Sequence, residues 1–395
     1  MEIRNLTKDD LLQDKKILAV AFEGTTDLVV EENPQNLDWE YGAFDEDNKL
    51  MGRMTVIPHE VYFDGQIVGS AGIGGVATLP EYRHKKSIRH IFEVAFEEMK
   101  KKKQYLSYLF PFSFAFYGKF GYETVCEQLD LKFTLAAFAD IPRNNRCVIA
   151  DDCKNPILRG IYEKYAARHN CAYNRNDSMW ESKLSKNVYD KKYYTYLYYN
   201  EAGEPKGYFV WTPKGGRDFT IPEICFENLE DVAGMLGFIK NFEANYSRVV
   251  ISNLPYNEDF SLMFTNQYDV ERTLKFSGMA RIADVAKTFE LMKYPDGTGT
   301  FSVKTEDEFQ PFNSGLYHIG YKDGKAVNVE HTQTQSGTAS ADLEVPVTAL
   351  AKLILGTDVL SASRFIFDKR IKINGNCDTL AKVFTRKNIF VGDFF

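Results

Sequence analysis

Along the chain the period of the hydrophobic positions changes repeatedly, and each change marks an element. Thr7 followed by Asp10, ahead of Leu11, Leu12, Ile17, Leu18 and Ala21, reads as an N-cap with an acidic third position and predicts a helix. "YGAFDEDNKLMGRMTVIP" predicts a hairpin turning at Asp47–Asn48, and "HEVYFDGQIVGS" a second turning at Asp64–Gly65. In "VATLPEYRHKKSIRHIF" an apolar run closes at Leu79–Pro80, and Arg83, His84, Lys85, Lys86, Arg89 and His90 crowd together after it. Ile88, Ile91, Phe92, Ala95, Phe96 and Met99 then recur at helical spacing. The cations therefore stand at a helix start, where the backbone dipole favours negative charge. "QYLSYLFPFSFAFYGKFGYETV" predicts a strand and then a loop carrying Tyr117.

The same order of elements returns about one domain-length later. "GAFDEDNKLMGRMTVIP" and "YLYYNEAGEPKGYFVWTP" each hold an acidic turn, a glycine, five residues and a proline. A strand, a junction and a helix follow in "IPEICFENLEDVAGMLGFIKNF". This second helix begins with Glu227, Asn228, Glu230 and Asp231, the sign of charge the dipole prefers. The comparison suggests tandem modules, one helix start being structural and the other adapted to hold an anion. From about Gly278 the pattern changes to a strand and amphipathic helix in "MARIADVAKTFELMKYP". Alternating strands follow, then helices in "VPVTALAKLILG" and "CDTLAKVF". The expected units are 1–137, 138–279 and 280–395.

Composition narrows the function. In 395 residues, 44% are hydrophobic and the formal net charge is -7, a poor default for nucleic-acid binding, so a local anion site is a better reading of the basic cluster than a DNA face. The six cysteines form no C-x-x-C pair and no zinc spacing, so no metal is expected. The opening "MEIRNLTKDD" carries no apolar signal region, and no apolar run reaches membrane-spanning length. A cytoplasmic protein with reduced thiols and no membrane partner is the expectation.

"VATLPEYRHKKSIRHIF", "FYGKFGYE", the second module and the aromatic C-terminal end together resemble the enhanced intracellular survival (Eis) family within the GNAT acetyltransferase superfamily. The likeness covers essentially the whole chain. It implies an α/β (α+β) fold with two tandem GNAT-like modules of mixed sheets and a sterol-carrier-like C-terminal domain. It also implies an acetyl-CoA-dependent N-acetyltransferase acting on a primary amine of an aminoglycoside-like or lysine-like acceptor, and a homo-hexamer. In such a protein the first module holds the co-substrate, the second lacks a site for it, and the C-terminus enters the active site.

Four tasks can then be assigned: gripping a pyrophosphate, polarising a carbonyl, deprotonating an amine and protonating a thiolate. Arg83 matches the first arginine of the family's phosphate loop, completed by His84, Lys85, Lys86 and Ser87. The family's loop has a glycine where this chain has Lys86, which fits if its backbone keeps a negative φ. Val76, Ala77 and Thr78 are expected beside the pantetheine arm and the acetyl group, with Ser113 a further cofactor contact. Tyr117 matches the general acid, its phenol being protonated at neutral pH. The α-carboxylate of Phe395 is the expected base. Phe22, Glu23, Asp27, Trp39 and Asp393 are the candidate amine-binding residues, since carboxylates with aromatics suit a cationic amine. The alternative is a non-catalytic binder of CoA or another small molecule with a degenerate loop. A weaker one is lipid carriage by the third domain, which predicts a large apolar cavity there.

Overall fold

The structure, a computed structural model, describes residues 1–22, 36–150, 152–184, 189, 192–333, 340–357, 360 and 368–394. The first sheet begins with β1 (Glu2–Asn5), β2 (Glu40–Phe44), β3 (Leu50–Phe63), β4 (Gln66–Thr78), β5 (Gln104–Leu109) and β6 (Glu123–Thr124). Asp64 and Gly65 both take positive φ, 48° and 80°, the turn geometry that matches strand twist, and so join β3 to β4 as expected. β4 runs parallel to β5, and α2 (Ser87–Lys101) makes the crossover. The apolar positions 88, 91, 92, 95, 96 and 99 are all buried. α1 (Leu11–Ala21) follows a short 3-10 turn at Lys8–Asp10 that is closed by a Thr7–Asp10 capping box. The short α3 (Phe114–Gly118) follows β5.

The second sheet holds β7 (Glu127–Thr134), β8 (Cys147–Ile149), β9 (Tyr194–Tyr199), β10 (Pro205–Thr212), β11 (Asp218–Phe226), β12 (Arg248–Pro255) and β13 (Val270–Phe276). Its helices are α4 (Pro156–Ala166), α5 (Asp177–Leu184) and α6 (Leu229–Ile239). β11 pairs in parallel with β12, and α6 crosses between them just as α2 does between β4 and β5. Asn228 caps α6 and the Asp231 carboxylate accepts from the Asn228 N–H at 3.1 Å, so the acidic start is structural.

The next strand, β14 (Met279–Ile282), returns to the first sheet between β5 and β6. Arg281 on it is fully buried, ion-paired with Asp307 at 2.6 Å and hydrogen-bonded to the Phe120 carbonyl. Phe309 follows it into the first module's core, against Phe92, Phe96 and Phe120. A five-stranded third sheet contains β15 (Thr298–Glu306), β16 (Gly315–Lys322), β17 (Lys325–Thr332), β18 (Leu343–Pro346) and β19 (Lys372–Ile373). With it go α7 (Val285–Leu291), α8 (Val347–Leu355) and α9 (Cys377–Val383). α8 ends at Gly356, whose φ of 90° is the left-handed stop that glycine favours. Phe289, Phe301, Tyr317, Leu353 and Phe384 are among the side chains that fill this unit.

Candidate active site

The site begins at a local irregularity in β4. Arg53 pairs with Ala77 and Thr55 with Gly74, so Gly75 and Val76 together face Met54 in a bulge. Gly75 has φ 53°, and a Cβ there would run into the Arg53 guanidinium, so glycine is required. Pairing of β4 with β5 ends at Ile73–Leu109, just before the bulge. Beyond it β4 parts from its parallel neighbour, and Val76, Ala77 and Thr78 line the diverging edge.

Arg53 holds the bulge from below. It is buried and donates to Asp14 at 2.7 Å, to Thr55 Oγ1 at 2.9 Å, to the Gly75 carbonyl at 3.1 Å and to Glu40. Burial pushes the Glu40 carboxyl above its ordinary range, against the pull of Arg53. This cluster was not anticipated from the sequence. Its signal was a lone charge in the apolar run "LMGRMTVIP", which requires buried partners.

At the end of β4, Leu79 leads into a 3-10 turn at Pro80–Tyr82 and then the basic loop. Lys86 has φ 62° and ψ 19°, so the expectation of a negative φ is corrected: the lysine adopts the conformation a glycine would supply. A left-handed non-glycine residue costs about 1–2 kcal/mol. His84 also has positive φ, 70°. A left-handed Lys86 followed by the right-handed first turn of α2 aims successive N–H groups to one side, a nest suited to an anion. Among the described residues no side chain caps α2, and no acid lies in its first turn. The first amide of the helix to bond a backbone carbonyl is that of His90, to Lys86 at 3.1 Å. Ser87 is 3% exposed, and its Oγ has no partner among the described residues.

The cations divide into two groups. Arg89 and His90 turn along the helix to Glu93, at 3.2 and 2.8 Å. Lys85 lies over the Tyr82 ring at 4.9 Å. Arg83, His84 and Lys86 are exposed and have no side-chain partner among the described residues.

Tyr117 sits on α3, 3% exposed, with Phe112 and Phe116 rings 5.2 and 5.1 Å away. It shares a core with Ile88 and Phe92 of α2, and Val76 packs on that core. Its hydroxyl has no hydrogen-bond partner among the described residues, and burial pushes its pKa well above the ordinary phenol value. Tyr122, by contrast, is tied to Ser107 Oγ at 2.6 Å. Ser113 caps α3, its Oγ accepting from the Phe116 N–H at 3.3 Å.

The candidate acceptor residues scatter more widely. Phe22 stands exposed at the end of α1. Trp39 is half-buried and immediately precedes Glu40 of the Arg53 cluster. The Asp393 carboxylate is taken up by Arg175 and Lys183, at 2.9 and 2.5 Å. The next residue, Phe394, brings its ring 4.6 Å from Phe110, which directly follows β5. Glu23, Asp27 and Phe395 lie outside the described residues.

Residues 2–125 match an acetyltransferase (GNAT) domain family, residues 171–282 a second acetyltransferase (GNAT) domain family, and residues 285–390 a sterol carrier protein domain family. No curated protein sequence matches the chain significantly. Solved structures do. A conserved Enterococcus faecalis protein described as a probable N-acyltransferase is 22% identical, with 100% of this chain and 99% of that one covered and a TM-score of 0.80. A GCN5-related N-acetyltransferase from Anabaena variabilis is 19% identical with both chains covered completely and a TM-score of 0.82. Eis1 from Mycobacterium abscessus is 16% identical, again with complete coverage of both, at a TM-score of 0.81. The two matched acetyltransferase domains make the chain a GNAT-class N-acetyltransferase. Its tandem GNAT modules with a sterol-carrier domain behind them, superposing end to end on Eis1, give it the Eis-like architecture.

Proposed function

We propose that the chain transfers the acetyl group of acetyl-CoA directly to a primary amine of a cationic acceptor, aminoglycoside-like or lysine-like, at the cleft where β4 leaves β5. The observation that carries this is the junction itself: a bulge at Gly75, a left-handed Lys86 at the start of α2, and, among the described residues, no side-chain cap for that helix and no partner for the buried Ser87 hydroxyl. Acetyl-CoA supplies an activated thioester and a pyrophosphate that needs a positive, donor-rich cradle.

In this reading the amides at the start of α2, with Ser87, Arg83, His84, Lys85 and Lys86, hold the pyrophosphate. The unpaired edge of Val76–Thr78 takes the extended arm and directs backbone donors to the thioester oxygen, where negative charge develops. Tyr117, kept protonated by burial, gives its proton to the departing thiolate. Ser113 supports Tyr117 by capping its helix. The terminal carboxylate of Phe395 accepts the ammonium proton, a role supported by the approach of Phe394 to Phe110. Phe22, Glu23, Asp27 and Trp39 frame the amine. Asp393 contributes through the tail it anchors.

The units 1–137, 138–279 and 280–395, a homo-hexameric assembly and a cytoplasmic location complete the proposal. Among the described residues no helix is long and apolar enough to cross a membrane. Thermal denaturation with acetyl-CoA tests it: at about 100 times the dissociation constant a specific ligand adds roughly 2.7 kcal/mol. No stabilisation by either acetyl-CoA or CoA rejects the assignment.

A further inference from the structure

The bulge-and-part device of the first sheet occurs a second time. Val210 pairs with Glu223 and Thr212 with Thr220, so two residues of β11, Ile221 and Pro222, face Trp211. Pairing of β11 with β12 ends at Ile221–Ile251, and the two strands then diverge. Glu223 therefore occupies the register position that Ala77 has in the first sheet, the first pair beyond the bulge. A large buried carboxylate replaces a methyl group on the edge of the second cleft.

That cleft has an occupant. Phe390 and Gly392 of the chain's own tail line a cavity of only about 10 Å³ together with Pro222–Cys225 of β11 and Ser252–Pro255 of β12. The tail is held along its length. The Phe390 N–H donates to the Asn170 carbonyl at 2.9 Å, and its ring meets those of Tyr165 and His169. Gln128 Nε2 donates to the Val391 carbonyl at 2.8 Å and Lys183 Nζ to that of Gly392 at 3.2 Å. A Cβ on Gly392 would enter the Phe390 ring, so this turn of the tail needs glycine.

Asp393 closes the contact. Arg175, its side chain wholly buried, donates to both oxygens of Asp393 at 2.9 Å and to both of Glu223, at 3.0 and 2.6 Å. Its guanidinium stacks 3.9 Å from the Tyr162 ring. Lys183 bridges the same two acids, at 2.7 and 2.5 Å, and the Tyr208 hydroxyl donates to Glu223 at 2.5 Å. Two cations thus face two carboxylates, and only one of those carboxylates belongs to the cleft. Without Asp393 the cleft keeps two cations against Glu223 alone, a buried imbalance that selects an acidic ligand.

We propose that the parted ends of β11 and β12 form a peptide-binding site for the chain's own C-terminal segment, in which Asp393 latches onto Arg175 and Lys183 and so positions the terminal residues at the first cleft. The binding half stands on the contacts above; the positioning half rests on acetyl transfer at the first cleft. Asp393, Arg175 and Lys183 are positioning residues, acting through the terminus.

Carboxypeptidase A digestion followed by intact mass tests the latch without reference to activity. Asp393→Asn and Lys183→Met in the full chain are expected to lose Phe395 and Phe394 at least tenfold faster than the wild type. Release at the wild-type rate in both overturns the proposal. As a second arm, a chain ending at Lys387 is titrated with the labelled peptide NIFVGDFF. Saturable binding at one site, weakened at least tenfold by asparagine in place of the peptide's aspartate, supports it; no binding by the folded, truncated chain overturns it. In kinetics the full-length variants should lower kcat for the amine and leave the acetyl-CoA dissociation constant unchanged. Equal kcat in variants that have lost tail protection refutes the positioning half. Protection of the tail in a chain that lacks amine-dependent thiol release leaves the latch standing and rejects the proposed function instead.

Discussion

The Arg53 guanidinium donates to the carbonyl of Gly75 at 3.1 Å across two antiparallel strands, and a Cβ on Gly75 would occupy the space that Arg53 fills. One arginine therefore fixes the bulge from which β4 leaves β5. Asp14 of α1 and Glu40 at the start of β2 hold that arginine in turn. The bulge is thus tied to three elements, and its shape is set before any substrate arrives.

Gly75→Ala should be destabilising by at least about 1 kcal/mol from the positive φ alone, with more from displacing Arg53. Arg53→Met leaves the buried Asp14 and the half-buried Glu40 carboxylates without their cation, and up to roughly 3–5 kcal/mol of stability should be lost. Urea unfolding of both variants checks this. Wild-type midpoints in both would remove the cluster from its supporting role.

Lys86→Gly replaces a left-handed lysine by the residue that adopts φ 62° without steric cost. Stability of the free protein should rise by roughly 1 kcal/mol. Affinity for acetyl-CoA should fall modestly, with a shallower salt dependence, because a cation leaves the phosphate loop. Tighter acetyl-CoA binding by the glycine variant would mean that the lysine side chain obstructs the loop instead of serving it.

Tyr117→Phe keeps the ring packing against Phe112 and Phe116 and removes only the hydroxyl. Turnover should fall by about 10²–10⁴-fold, the usual contribution of a positioned general acid. The acetyl-CoA dissociation constant should stay within a factor of two or so, since the hydroxyl binds nothing before the thiolate forms. Unchanged turnover removes Tyr117 from the chemistry.

His59 on β3 packs edge-on against Tyr173 at 4.7 Å, and burial pushes its pKa down to about 4, against the pull of Asp393. The unfolded chain takes up this proton near pH 6.5 and the folded chain only near 4. Stability should therefore fall as pH drops through that window, by on the order of 3 kcal/mol. Glu223 and Asp393, both lowered by Arg175 and Lys183 in spite of burial, act at lower pH: their stabilisation is complete above the ordinary carboxylate pKa and is lost below it. Denaturant titrations between pH 7 and 4 should show a flatter profile for His59→Gln. Parallel profiles for the two proteins would contradict the assignment.

Much of the frame is legible in local sequence because local physics sets it. The Asp64–Gly65 turn, the apolar stripe of α2, the capping box at Asn228 and the Gly356 stop each follow from residues adjacent in the chain. The basic start of α2, on which the proposed phosphate grip rests, is likewise local in sequence. What was not legible depends on distance. Arg53 finds Asp14 39 residues back, and Asp393 finds Arg175 218 residues away. No spacing pattern announces such pairs. The placing of Met279–Ile282 inside the first sheet is equally non-local. Lys86 shows a different limit: a residue name gives a propensity, and the surrounding loop overrides it.

Amine-dependent release of free CoA thiol from acetyl-CoA tests acetyl transfer at the β4–β5 cleft most directly. A panel of polyamines, aminoglycosides and lysine peptides should include acceptors that drive saturable release by the wild type, with Arg83→Ala raising the acetyl-CoA requirement and Tyr117→Phe lowering turnover. Thiol release that no amine stimulates, together with affinity for acetyl-CoA that Arg83→Ala leaves unchanged, would contradict it.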